Sequence, residues 1–133
     1  MEGIALVVSE FNPEITSIME KAAKSHAQVS GCKFCRVVHV TGVFEIPLVA
    51  KRLLKQKSIS GLVVLGAVIR GKTWHDVIVA SSAASKLLDL SLEFDKPVGM
   101  GIMGPRATWR DAKRRASEYS KRAVEAVLRQ IFL

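Results

Sequence analysis

The sequence lacks the features of a membrane-spanning or exported protein. None of its 133 residues belong to an uncharged apolar run of the roughly 20 residues that a membrane-spanning helix needs. The N-terminus has no basic region followed by an apolar segment, which a secretory signal peptide requires. We therefore expect a cytoplasmic protein with no membrane partner.

Cysteine is also scarce. The only two cysteines, Cys32 and Cys35, have the spacing of a redox pair or of half a zinc site. No second pair exists to complete a metal site, and a redox pair needs a helix N-terminus to lower the thiol pKa. Because residues 34–40 are predicted to form a strand, we expect two small apolar side chains, and no metal or other cofactor.

Aromatic residues make up only 6% of the chain, whereas positive charge is in excess. Of the net charge of +8, residues 106–133 contribute +5, from 8 basic and 3 acidic residues. Such an excess attracts a phosphorylated substrate or a nucleic acid. A nucleic-acid-binding module is the weaker alternative, because no binding motif is recognised and Asp111, Glu118 and Glu125 interrupt the basic residues.

What the chain does contain is a regular alternation of strands and helices. Apolar, β-branched runs predict strands at residues 4–9, 34–40, 61–69 and 98–103, and a helical segment follows each run. The second helix is predicted to carry Leu48 on its inner face, whereas the long apolar run of residues 77–92 predicts a buried third helix. Gly104-Pro105 predicts a turn after the fourth strand. Short connections between the strands and the helices favour parallel strands. We predict one α/β domain over residues 1–133, with a four-stranded parallel sheet covered by helices on both faces as a three-layer α-β-α sandwich.

Polar groups cluster at residues 65–76, where the third strand leads into the third helix. Ligands of parallel sheets bind at the carboxyl ends of strands, and the free N–H groups at a helix start favour anions. Lys72 adds a charge, Thr73 adds a hydroxyl, and His75 can transfer protons near neutral pH. Alternatively, His75 is a helix-start residue bonded to Asp76 or to the backbone.

Two other strand-to-helix loops are predicted to reach the same edge of the sheet. In the first, Asn12 is expected to cap the first helix, and Phe11 either packs on the first turn or forms a platform for a flat ring. In the second, residues 41–47, Glu45 either complements the helix dipole or contacts a ligand.

The three loops together resemble lumazine synthase, the family that catalyses the penultimate step of riboflavin biosynthesis. The matching segments are residues 10–12, 41–47 and 65–75, extended by residues 97–99, 112–115 and 120–123. The short last region and the His75-Asp76 pair are most similar to the archaeal branch. The resemblance implies a flavodoxin-like fold and a transferase that needs no cofactor. Its reaction condenses 5-amino-6-ribitylaminouracil with 3,4-dihydroxy-2-butanone 4-phosphate to 6,7-dimethyl-8-ribityllumazine.

The resemblance also implies site residues, with His75 as the proton-transfer residue. The residues implied to bind the ribitylaminopyrimidine are Phe11, Val43, Phe44, Glu45, Ala67, Val68, Ile69, Met100 and Lys121. The residues implied to hold the phosphate are Lys72, Thr73 and Arg115. Met100 departs from the family pattern, because that position often carries a second aromatic platform.

The family forms rings of five in which late residues complete the neighbouring subunit's pocket. The resemblance therefore implies a homo-oligomer, a pentamer or a multiple of pentamers, that acts on small-molecule substrates and binds no nucleic acid. A second enzyme interpretation is the archaeal type of riboflavin synthase, a distant relative with the same fold. We do not expect that enzyme to combine Phe11-Asn12 with the residue 70–75 motif.

Overall fold

A four-stranded, all-parallel sheet lies at the centre of the computed structural model, which describes residues 3–133. The elements are β1 (Ile4–Ser9), α1 (Pro13–Val29), β2 (Arg36–Val40), a 3₁₀ turn (Val43–Glu45), α2 (Ile46–Leu54), β3 (Gly61–Ile69), α3 (His75–Phe94), β4 (Val98–Ala107) and α4 (Trp109–Ile131). The strand order is β2-β1-β3-β4. The predicted alternation of strands and helices is confirmed.

Helices cover both faces of the sheet, as the three-layer α-β-α prediction requires. Successive residues of a strand point to opposite faces, and the core is divided accordingly. Leu6 and Val8 of β1 pack with α1 and α4, whereas Ala5 and Val7 pack with α2 and α3. All six residues of β1 are buried, as expected of an interior strand. The edge position of β2 explains why Arg36 and His39 are exposed.

Two predicted helix faces are wrong. Leu48 was expected to face inward, but its side chain is 56% exposed, because α2 begins at Ile46 and buries the face that carries Ala50 and Leu53. The apolar segment of α3 was expected to be buried all round. Instead, α3 covers the sheet with one side only, and its outer face exposes Ile78, Leu88 and Leu92.

The fourth strand is longer than predicted. The sequence suggested a strand that ends at Met103, followed by a turn at Gly104-Pro105, but β4 continues to Ala107. Ala67 pairs with Met103 and Ile69 pairs with Ala107, so β4 advances by four residues over the length in which β3 advances by two. The extra residues form a bulge, a feature often found beside active sites because it redirects side chains.

Gly99 allows α4 to lie directly on the sheet. A Cβ atom at this position would be 2.2 Å from the carbonyl oxygen of Ala123 and 2.8 Å from a methyl group of Val127. Because backbone would have to move, we expect Gly99→Ala to lower the free energy of unfolding by about 1–3 kcal/mol, measured by denaturant titration. Gly71→Ala is the matched control, since no atom lies within 4 Å of its added Cβ; equal stability of the two variants would contradict the prediction.

Candidate active site

A cavity of about 700 Å³ lies at the carboxyl edge of the sheet, where the sequence placed the ligand. Three loops and the first turn of α3 enclose it, so residues that are far apart in sequence share one space. The lining residues are Phe11, Gly42, Val43, Phe44, Glu45, Ala67, Val68, Ile69, Gly71, Thr73, His75, Asp76, Ile78 and Val79. The volume suits a small organic ligand.

Most of the site residues implied by the resemblance line this cavity, but four do not. Lys72 lies in the same loop and is exposed, without lining the cavity. Met100 is half-buried against the core on the α2–α3 side of the sheet. Arg115 lines a separate cavity of about 340 Å³ beside the end of β4. Lys121 lies farther along α4, near Glu118.

The aromatic side chains at the cavity are not part of the core. Phe11 is 68% exposed and Phe44 is 63% exposed, although large apolar side chains gain free energy from burial. Phe11 is therefore not fixed by packing on the first turn of α1. Both rings remain available to a planar or apolar ligand group.

Asn12 occupies the predicted N-cap position of α1, but its side chain connects two of the loops. Its backbone has φ 62, and its side chain makes no capping hydrogen bond, so the expected side-chain cap is not formed. The side-chain Nδ2 instead donates to the carbonyl oxygen of Ala67 at 2.8 Å. The neighbouring backbone N–H of Phe11 donates to the carbonyl oxygen of Thr41 at 3.1 Å. The first loop is thus bonded to both other loops.

His75 stands at the start of α3 with its ring free. Its backbone N–H donates to Thr73 Oγ1 at 3.3 Å, whereas the imidazole makes no hydrogen bond to any other part of residues 3–133. The alternative interpretation of the sequence was that Asp76 bonds His75. Asp76 instead accepts hydrogen bonds from Arg106. The ring is therefore available to a ligand in the cavity.

The Asp76 carboxylate lies in a nearly closed environment, with its side chain 2% exposed. Burial raises the pKa of this carboxyl. The hydrogen bond from the Arg106 backbone and the charge of the Arg106 guanidinium together lower the pKa by more than burial raises it, so the net pKa lies below the ordinary value. The guanidinium of Arg106 also lies 4.5 Å above the centre of the Trp74 ring. Neither Trp74 nor Arg106 was predicted as a site residue, because no local spacing in the sequence links them.

Cys32 and Cys35 are free thiols in the loop before β2, and burial raises the pKa of the Cys32 thiol, which disfavours the reactive thiolate. Within residues 3–133 no group of three or more His, Cys, Asp or Glu side chains could hold a metal ion. None of the helices in this part of the chain is long and apolar enough to cross a membrane.

Comparison with known proteins finds similar sequences that share one name. The sequence model of 6,7-dimethyl-8-ribityllumazine synthase matches residues 2–133. A protein of that name from Staphylothermus marinus is 49% identical over 131 residues, 98% of this chain and 87% of the relative. Those from Sulfolobus acidocaldarius and Aeropyrum pernix are each 48% identical, over 97% and 95% of this chain and 82% and 86% of their own lengths.

These matches span nearly the whole chain, and the three relatives are archaeal, as the short last region predicted. The three loops that carried the resemblance are the same loops that enclose the cavity. The chain therefore belongs to the 6,7-dimethyl-8-ribityllumazine synthase family.

Proposed function

We propose that this chain condenses 5-amino-6-ribitylaminouracil with 3,4-dihydroxy-2-butanone 4-phosphate in the cavity at the carboxyl edge of the sheet. The product is 6,7-dimethyl-8-ribityllumazine, so the chain is an enzyme of riboflavin biosynthesis. The observation that carries the proposal is the shared cavity, in which two exposed aromatic rings and a free histidine come together in a chain of this family.

The pyrimidine is proposed to bind at the end of the cavity formed by the first two loops. The exposed face of Phe11 offers a stacking surface for the flat ring. The half-buried residues Val68 and Ile69 at the end of β3 supply an apolar wall. The ribityl chain carries hydroxyl groups, which suit the Glu45 carboxylate and the backbone of Val43 and Phe44.

The phosphate of the second substrate is proposed to bind at the start of α3. The first backbone N–H groups of a helix have no partner within the helix and carry a partial positive charge. Thr73 adds a hydroxyl at this point, and Lys72 adds a nearby positive charge. This environment favours a phosphate both as a bound group and as a leaving group.

The reaction needs only proton transfers and the correct placement of two reactants. The 5-amino group attacks the ketone and water leaves, which gives a Schiff base. Elimination then releases phosphate, and the ribitylamino nitrogen closes the second ring with loss of another water. Holding both reactants together can contribute about 7–11 kcal/mol to lowering the barrier. His75 is proposed to move the protons, because it lines the cavity and its imidazole makes no hydrogen bond within residues 3–133.

Assembly into a pentamer, or a multiple of pentamers, is part of the proposal. Arg115 does not line the cavity that contains His75 in the same chain, so its proposed phosphate contact requires a neighbouring subunit. The outer face of α3 exposes Ile78, Leu88 and Leu92, which are 60%, 61% and 74% exposed. Apolar surface of this kind is typical of subunit contacts.

The cytoplasmic location stays a prediction from the sequence.

The proposed function is tested by mixing the protein with both substrates and following the fluorescence of the lumazine product. We expect product only when both substrates are present, together with release of phosphate. Incubation with lumazine alone tests the riboflavin synthase alternative, and riboflavin formation there would contradict the proposal. Salt-dependent binding to random duplex DNA, without any condensation, would favour the nucleic-acid alternative.

A further inference from the structure

Arg106 occupies a backbone conformation that its residue type disfavours. It lies in the bulge of β4 with φ 63, in the left-handed region where a Cβ atom costs free energy. Glycine is the usual residue in this conformation. An arginine here must therefore be held by contacts of its own backbone and side chain.

Those contacts all join Arg106 to residues at the start of α3. The backbone N–H of Arg106 donates to Asp76 Oδ2 at 2.7 Å, and its Nη1 donates to Asp76 Oδ1 at 3.1 Å. The same Nη1 lies 3.5 Å from the carbonyl oxygen of Thr73. The guanidinium covers the Trp74 ring at 4.5 Å. Arg106 thus contacts the residues on both sides of His75, and the imidazole itself remains free at the cavity.

We propose that Arg106 is a positioning residue for the condensation: paired with Asp76, it fixes residues 73–76 so that the His75 ring reaches the reactants. The inference rests on the function proposed above. Placement errors of about 1 Å can cost about 100-fold in rate, and a helix start otherwise frays. The Asp76 side chain is 2% exposed and the Arg106 side chain is 38% exposed, so the carboxylate end of the ion pair is shielded from water, which strengthens the attraction.

The geometry favours positioning over direct binding of the substrate phosphate. Nη1 of Arg106 is already engaged by Asp76 and Thr73, and the carboxylate neutralises the guanidinium charge. Loss of the side chain should therefore act on kcat, with little effect on the KM of the phosphorylated substrate. A direct phosphate contact would mainly raise that KM.

Arg106→Gln tests the proposal, with Arg129→Gln as the matched control, because the Arg129 side chain is 84% exposed and its ion pair within residues 3–133 is with Glu125. We expect Arg106→Gln to lower kcat by about 10–100-fold, with both KM values within about threefold of wild type. The control should retain its kcat. A raised KM for the butanone phosphate with unchanged kcat would overturn the proposal.

A double mutant separates positioning of His75 from a general structural role. In the His75→Ala background, Arg106→Gln should change kcat by less than about threefold, because residues that act as a unit are not additive. The same fold-loss in both backgrounds would mean that Arg106 acts independently of His75, and the proposal would be wrong. If Arg106→Gln does not fold, Arg106→Gly replaces it, since glycine accepts φ 63 and keeps the N–H bonded to Asp76.

Amide hydrogen exchange gives a readout that does not depend on activity. We expect exchange at Val77 and Ile78, whose N–H groups donate to the carbonyl oxygen of Trp74, to accelerate by about tenfold or more in Arg106→Gln and to remain unchanged in Arg129→Gln. Unchanged exchange at these residues would overturn the inference, whatever the activity. Accelerated exchange in a protein that forms no lumazine would support the contact made by Arg106 and refute the proposed function instead.

Discussion

Replacement of His75 by alanine is expected to lower kcat by roughly 10–10³-fold, the range typical of a lost acid–base group. The free energy of unfolding should change by less than about 0.5 kcal/mol, because the imidazole is exposed and makes no hydrogen bond within residues 3–133. Steady-state lumazine fluorescence gives kcat, and denaturant unfolding gives the stability.

His39→Ala is the matched control for this experiment. His39 is on the edge strand β2, where its ring bonds Glu20 at 2.7 Å, outside the cavity. Its replacement should leave kcat within about twofold of wild type. If His75→Ala retains full turnover, proximity of the two reactants carries the reaction without this histidine.

Arg115→Ala is expected to lower kcat/KM for the butanone phosphate by about 10–150-fold, which corresponds to a lost charge-assisted contact. The KM for the pyrimidine should remain near the wild-type value. The physical reason is that a guanidinium matches the oxygen atoms of a phosphate, whereas an uncharged pyrimidine offers it little. Equal losses for both substrates would contradict the phosphate role.

Mixed assemblies show which subunit supplies Arg115. Neither His75→Ala nor Arg115→Ala alone has a complete site, but some interfaces between them regain both native residues. If sites are shared around a ring, equal random mixing should restore about one quarter of wild-type activity, because one ordered pairing in four is complete. The subunits must be dissociated and reassembled, with mixing verified by mass spectrometry. No recovery in verified mixtures would place His75 and Arg115 in one chain's own site.

The strands, the helices and the edge where the site lies could be predicted because they depend on local patterns. A run such as residues 61–69 is apolar on every position, which marks an interior parallel strand. The residues after it contain a turn signal, followed by polar residues typical of the start of a helix. In parallel sheets the carboxyl ends of strands meet at one edge, so the loops could be brought together without coordinates.

The contacts that organise the site could not be predicted, because their partners are distant in sequence. Asn12 has the residue type of a helix cap, yet its side chain bonds Ala67. Arg106 follows Gly104-Pro105, which suggested a turn, so its contact with Asp76 was not expected. Leu48 is a different case: it lies five and six positions before the buried Leu53 and Leu54, which places it on another side of α2, so its apolar type was misleading.

The hydrogen bond between Asn12 and Ala67 has a consequence for the order of folding. It joins positions 55 residues apart, and β3 takes its place beside β1 only after the intervening chain has been brought into position. Such non-local contacts form late, since the entropy of loop closure opposes them. The cavity beside Phe11 is therefore completed only when the central strand pair is in place. A partly folded chain lacks this cavity. A ligand that binds there, and binds only the native chain, should therefore stabilise the fold by an amount that rises with the logarithm of its concentration above Kd.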